Sequence, residues 1–128
     1  MTIVVICLAI VVFMPMLAKV PLAIAMSKSG KYDNKSPRAQ QKALDGFGAR
    51  AHAAHENCFE ATTYFGPSIL LVIALNAVTL TTAYLCLAFV VCRLLYLICY
   101  WMNWDILRST VWVIGMGTIA AHYYYLLN

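Results

Sequence analysis

Residues 2–26, TIVVICLAIVVFMPMLAKVPLAIAM, hold a single charged side chain, Lys19. A helix needs about 20 residues to cross a hydrocarbon layer of roughly 30 Å, and this stretch exceeds that. It reads as a membrane span. A signal sequence is the rival reading, but its apolar part normally runs about 7–15 residues behind a basic start, and no basic start precedes this one.

The rest of the chain repeats the pattern. Of 128 residues, 63% are hydrophobic and 11% charged, and the mean hydropathy is +0.78. A soluble domain of this size has too much surface per volume to hide that apolar content. Further apolar blocks predict spans over 44–76, 79–102 and 106–127, the last two divided by NWD at 103–105. The expected fold is all-α: a four-transmembrane-helix bundle forming one domain over 1–128.

Between the first two spans the composition turns abruptly polar. Residues 27–43, SKSGKYDNKSPRAQQKA, carry Lys28, Lys31, Lys35, Arg38 and Lys42 against Asp33 alone. A helix is expected to start at Pro37, capped by Ser36, and to run on into the second span. A second proline, Pro67, beside Gly66, predicts a kink there, with a neighbouring helix satisfying the freed carbonyl. The basic loop and the short loop after the third span share one side. By the positive-inside tendency that side is cytoplasmic and both termini lie opposite. The net charge of +4 is then explained by anionic lipid headgroups, with no nucleic acid needed.

Polar residues inside the apolar helices carry the functional signal, since ionisable groups there normally face a bundle interior or a wet cavity. In RAHAAHENCFEA (50–61), Arg50, Asn57 and Glu60 share one helix face, while His52 and Glu56 point elsewhere. Arg93, Tyr96 and Tyr100 line one face of the third span, and Arg108 with Ser109 opens the fourth. All three groups fall at the basic end of the bundle. Guanidinium groups, an amide, a carboxylate and phenols suit a small zwitterionic peptide, its carboxylates on arginine and its ammonium on Glu60.

Plainer readings stand beside this one. Arg50 and Arg108 serve equally as interfacial anchors, the tyrosines and tryptophans as an aromatic belt, and Asn57 with Glu60 as polar glue between helices. His52, His55 and Glu56 lack the HExxH spacing and a second ligand-bearing segment, so no metal is expected. Five cysteines without CxxC spacing read as buried small hydrophobes.

In their order, four segments resemble the MAPEG family, the membrane-associated proteins of eicosanoid and glutathione metabolism, and in particular microsomal glutathione transferases. They are YDNKSPRAQ (32–40), typical of the bacterial branch, RAHAAHENCFEA, RLLYLICY (93–100) and LRSTVW (107–112). The resemblance implies a homotrimer in a bacterial inner membrane, with glutathione as co-substrate held between subunits near the cytoplasmic face. It implies glutathione contacts from Asn57, Glu60, Tyr96 and Tyr100, with His55 at a position that often makes a polar contact; Arg50 and Arg93 join them from the face analysis. It also implies thiol activation by Arg108.

Two positions depart from the pattern. Ala53 stands where well-studied eukaryotic members carry a second arginine, and Ala61 where some carry tyrosine. The function implied is glutathione-dependent transfer to hydrophobic electrophiles, or reduction of lipid hydroperoxides. Two alternatives are an inactive scaffold that binds a lipid or protein partner, and a small proton-coupled multidrug exporter using Glu60.

Overall fold

The structure, a computed structural model, describes residues 1–128. It has five helices and no strand: α1 (Thr2–Lys28), α2 (Pro37–Lys42), α3 (Gly46–Ala74), α4 (Leu80–Met102) and α5 (Asp105–Leu127). The four long helices end within two residues of the limits expected from the sequence. By length and composition, α1 and α4 are apolar enough to cross a membrane. Polar residues dilute the first half of α3. Ile6, Phe13, Met16, Val20 and Ile24 of α1 are all exposed, a surface that hydrocarbon, not water, would solvate.

One expectation fails. The helix starting at Pro37 does not run on into α3; it stops after six residues. Gly46 has φ +47°, a left-handed conformation that a right-handed helix cannot continue through and that glycine adopts without strain. Two residues on, a Cβ at Gly48 would come within 2.9 Å of the Leu44 Cβ. The chain therefore folds back on the first turn of α3, and the two glycines permit it.

Ser36 takes the N-cap position of α2 but makes no side-chain cap bond. The loop is held by its neighbours instead. Asp33 Oδ1 accepts from the backbone N–H of Lys35 at 2.8 Å and of Ser36 at 3.2 Å. Gln40 Oε1 accepts from Asp33 N–H at 2.9 Å, while its Nε2 donates to the carbonyls of Met26 and Lys31, each at 3.2 Å. One amide thus ties α2 to the end of α1.

The bundle is laid down as two pairs, α1 on α3 and α5 on α4. Small residues let α1 and α3 approach: Ala51, Ala54 and Cys58 are buried against Leu22, Ala18 and Met14. The largest core cluster joins all four long helices around Phe65 and Phe89, whose rings stack at 4.4 Å. All five cysteines are free and buried. The α3–α4 turn ends in a capping box between Thr79 and Thr82. Asn103, left-handed at φ 61°, closes α4, and Trp104 N–H returns to the Cys99 carbonyl at 2.9 Å.

A neighbouring hydroxyl does answer a proline, at a different place from the one expected. Pro15 lies inside α1, so the carbonyl of Val11, four residues earlier, has no helical N–H to accept from. Thr62 Oγ1 of α3 reaches that carbonyl at 3.3 Å and its own Cys58 carbonyl at 3.0 Å. Thr62→Val should therefore lower stability by about 0.5–1.5 kcal/mol. In a Pro15→Ala background, where the carbonyl regains its N–H, the same change should cost measurably less in unfolding titrations of detergent-solubilised protein. Equal costs in both backgrounds would remove the link.

Candidate functional site

Arg93 is the most deeply placed cation of the chain, only 3% exposed on α4. A guanidinium at that depth needs acceptors brought to it, because desolvation without them is costly. Asn57 of α3 supplies them: its side-chain Oδ1 accepts from Arg93 Nη2, and its backbone carbonyl lies 3.4 Å from the same nitrogen. Asn57 Nδ2 in turn donates to Glu60 Oε2 at 2.7 Å. The amide is oriented by its two partners, oxygen to the cation and nitrogen to the carboxylate.

On its other side, the Arg93 Cζ sits 4.3 Å from the centroid of the Tyr96 ring, within cation–π range. Tyr96 meets Tyr100 edge to face at 5.3 Å. Tyr100 then receives Arg108 from α5, with Cζ 4.4 Å from the ring centroid. The result is a continuous run across three helices: Glu60, Asn57, Arg93, Tyr96, Tyr100, Arg108. Its buried middle is flanked by an exposed carboxylate at Glu60 and a half-buried cation at Arg108.

Spacing explains the assembly. Asn57 and Glu60 are one turn apart on α3, and Arg93, Tyr96 and Tyr100 descend one face of α4 at steps of three and four. The tight α4–α5 turn carries Arg108 back to the level of Tyr100. The cavity enclosed beside Asn57 and Arg93 is only about 10 Å³, walled by Ala61, Phe89, Val111 and Trp112 among others. That is room for about one water molecule.

Two of the residues expected at the site lie apart from this run. Arg50 is on the same side of α3 as Asn57 but two turns away, about 10 Å along the axis. Its Nε is buried without a partner. His55 faces another way, edge-on to Phe59 at 5.1 Å, and lines a separate cavity with His52 and Glu56. Lys19, Arg38 and Lys42 are among its other lining residues. Trp101, which the sequence offers only as a member of an aromatic belt, has its Nε1 buried and unpartnered and packs against the small-residue seam of Ala51, Ala54 and Cys58, a placement that no spacing along α4 reveals.

The model of the MAPEG family matches residues 3–128, essentially the whole chain. The chain belongs to the MAPEG family. Membership carries association with a membrane and, in general, a glutathione-related transferase, peroxidase or kindred function. No curated protein and no solved structure matches the chain significantly. The MAPEG match spans α3, α4 and α5, the three helices that build the polar run.

The pairing of Asn57 with Arg93 makes a double-mutant test direct. Asn57→Leu alone should destabilise by about 2–3 kcal/mol, because a buried guanidinium loses its acceptor. In an Arg93→Met background the same change should cost far less, giving a coupling of about 1.5–3 kcal/mol in unfolding titrations. Additive effects would mean that the two side chains do not interact.

Proposed function

We propose that the protein is a membrane-embedded, glutathione-dependent transferase or peroxidase that acts on hydrophobic electrophiles or lipid hydroperoxides. The observation that carries this reading is the unbroken run from Glu60 to Arg108. Glutathione is an extended zwitterion with one ammonium, two carboxylates and a thiol. Glu60 suits the ammonium, the guanidinium groups suit the carboxylates, and Arg108 is the residue assigned to the thiolate as its counter-charge.

Size supports an assembly. A ligand of glutathione's size needs a pocket of some hundreds of Å³, against the roughly 10 Å³ enclosed beside Asn57. A tripeptide must therefore lie along the open face, and a second copy of the chain is needed to cover it. This favours a homotrimer of four-span subunits with the ligand between them. The basic segment of residues 27–43 supports a cytoplasmic placement of that end, with both termini opposite.

The chemistry asked of Arg108 is modest. A free thiol with pKa about 8.5 is roughly 3% ionised at pH 7, and only the thiolate attacks. A cation that lowers this value by about two units supplies about 2.7 kcal/mol and raises the thiolate to roughly three quarters. That accounts for about 25-fold. Holding the thiolate beside an electrophile dissolved in the adjacent hydrocarbon supplies the remainder. In transfer, sulfur forms a bond to the electrophilic carbon as the leaving group departs with its electron pair.

The exporter reading loses support from the geometry. Glu60 is bonded to Asn57, which is bonded to Arg93, so a cationic drug would approach a carboxylate already set against a fixed cation. The inactive-scaffold reading keeps one supporting observation: Ala61 offers only a methyl group to the cavity wall where a phenol would add a contact.

Calorimetric titration of glutathione into detergent-purified trimer, with S-methylglutathione as control, tests the binding step; a flat titration in folded protein would end the reading. Arg108→Ala should lower turnover of a model electrophile about 25-fold at pH 7. The deficit should shrink to within about twofold at pH 9, where the unassisted thiol ionises by itself. A deficit independent of pH would move Arg108 from thiolate stabilisation to simple binding.

A further inference from the structure

At the end of the bundle away from the basic segment, the last turns of α3 and α5 and the first turns of α4 border a cavity of about 250 Å³. A sharp turn opens it. Asn76 is left-handed at φ 53°, Ala77 N–H returns to the Val72 carbonyl at 2.9 Å, and Thr79 then caps α4. Val72, Leu85 and Leu126 supply apolar wall, while Thr81, His122 and Tyr125 bring polar groups to it. No Asp, Glu, Lys or Arg lines the space.

His122 is the informative member. Thr118, His122 and Tyr125 follow one another on α5 at steps of four and three, so they share a helix face. Thr118 and His122 are both buried, His122 to 2% exposure. The His122 Nε2 lies 3.9 Å from the Cys86 thiol, which has a proton to donate. With Nε2 as acceptor, the ring proton resides on Nδ1, and Nδ1 is buried without a partner. A buried N–H left in that state is costly, so the position calls for an acceptor.

We propose that this cavity binds the carbonyl end of an uncharged, membrane-dissolved molecule, either a quinone ring or the ester group of an acylglycerol. The lining offers no fixed counter-charge, so an ion would lose its hydration without compensation. An N–H donor selects an acceptor instead. Exposed Thr81 and Tyr125 add hydroxyls near the mouth. The volume suits a ring or an ester with its tail left outside, since whole small ligands occupy roughly 300–1,000 Å³. His122 stands fourteen residues beyond Arg108 on α5, about 21 Å along the axis. The inference therefore uses no residue of the glutathione reading and does not rest on it.

The test uses the full chain purified in detergent. Native mass spectrometry reads occupancy by decylubiquinone, by decylubiquinol, whose hydroxyls replace the carbonyls, and by dioleoylglycerol. Ring-¹⁵N histidine labelling reads the His122 nitrogens by NMR during the same titrations. His122→Phe keeps a ring of similar shape and removes the donor. Thr81→Phe blocks the mouth from an exposed position and serves if the first variant fails to fold. Tyr124→Phe alters an exposed α5 residue outside the cavity.

Saturable decylubiquinone binding that shifts the His122 Nδ1 signal, falls tenfold or more in both cavity variants and persists in Tyr124→Phe identifies a quinone ring. The same pattern with dioleoylglycerol identifies the ester. No saturable shift with either carbonyl probe overturns the proposal, as does decylubiquinol binding as tightly as decylubiquinone, or an equal loss in Tyr124→Phe.

Discussion

A guanidinium buried among apolar helices is the constraint that the rest of the structure answers. Arg93 cannot be left without acceptors, and α4 offers none beyond the π face of Tyr96. The acceptor comes from α3, so Asn57 must be held opposite Arg93. The small residues that let α3 settle against α1, and the stacked Phe65 and Phe89 that join α3 to α4, fix that register. Packing and polar satisfaction thus specify one arrangement between them. A slip of four residues, about one turn, on α3 would replace the Asn57 amide with the methyl group of Ala53 or Ala61.

The same constraint shapes the candidate site. Because Asn57 is shared between the Arg93 cation and the carboxylate of Glu60, the polar run is internally compensated at its Glu60 end and uncompensated at Arg108. The run offers a preorganised carboxylate at one end and a cation resting on an aromatic ring at the other. The run ends on an open face, and that openness makes assembly part of the proposed chemistry.

Charge on the basic side is sorted by α3 into two regions. One face carries the Arg93 run, and another closes the cavity that gathers Lys19, Arg38 and Lys42. The sorting depends on the break at residues 43–45. Had α2 continued into α3, its cations would have projected from the end of one long helix. The left-handed Gly46 turns them back over α1 instead.

The sequence by itself determined the class of fold, the limits of the long helices and most of the polar run. These follow from local quantities: the length of apolar runs, and the three- and four-residue spacings that put Asn57 with Glu60 and Arg93 with Tyr96 and Tyr100 on single helix faces. The MAPEG resemblance, carried by four short segments, was legible for the same reason. Only the tertiary structure decided which faces meet. It separated His55 from the run and left Arg50 two turns away. It replaced the Ser36 cap with bonds from Asp33 and Gln40, and it sent Thr62 to the carbonyl that Pro15 had freed. Each of these depends on the rotation and depth of one helix against another, which is set by the summed packing of small and large side chains across the bundle and not by any spacing along a single helix.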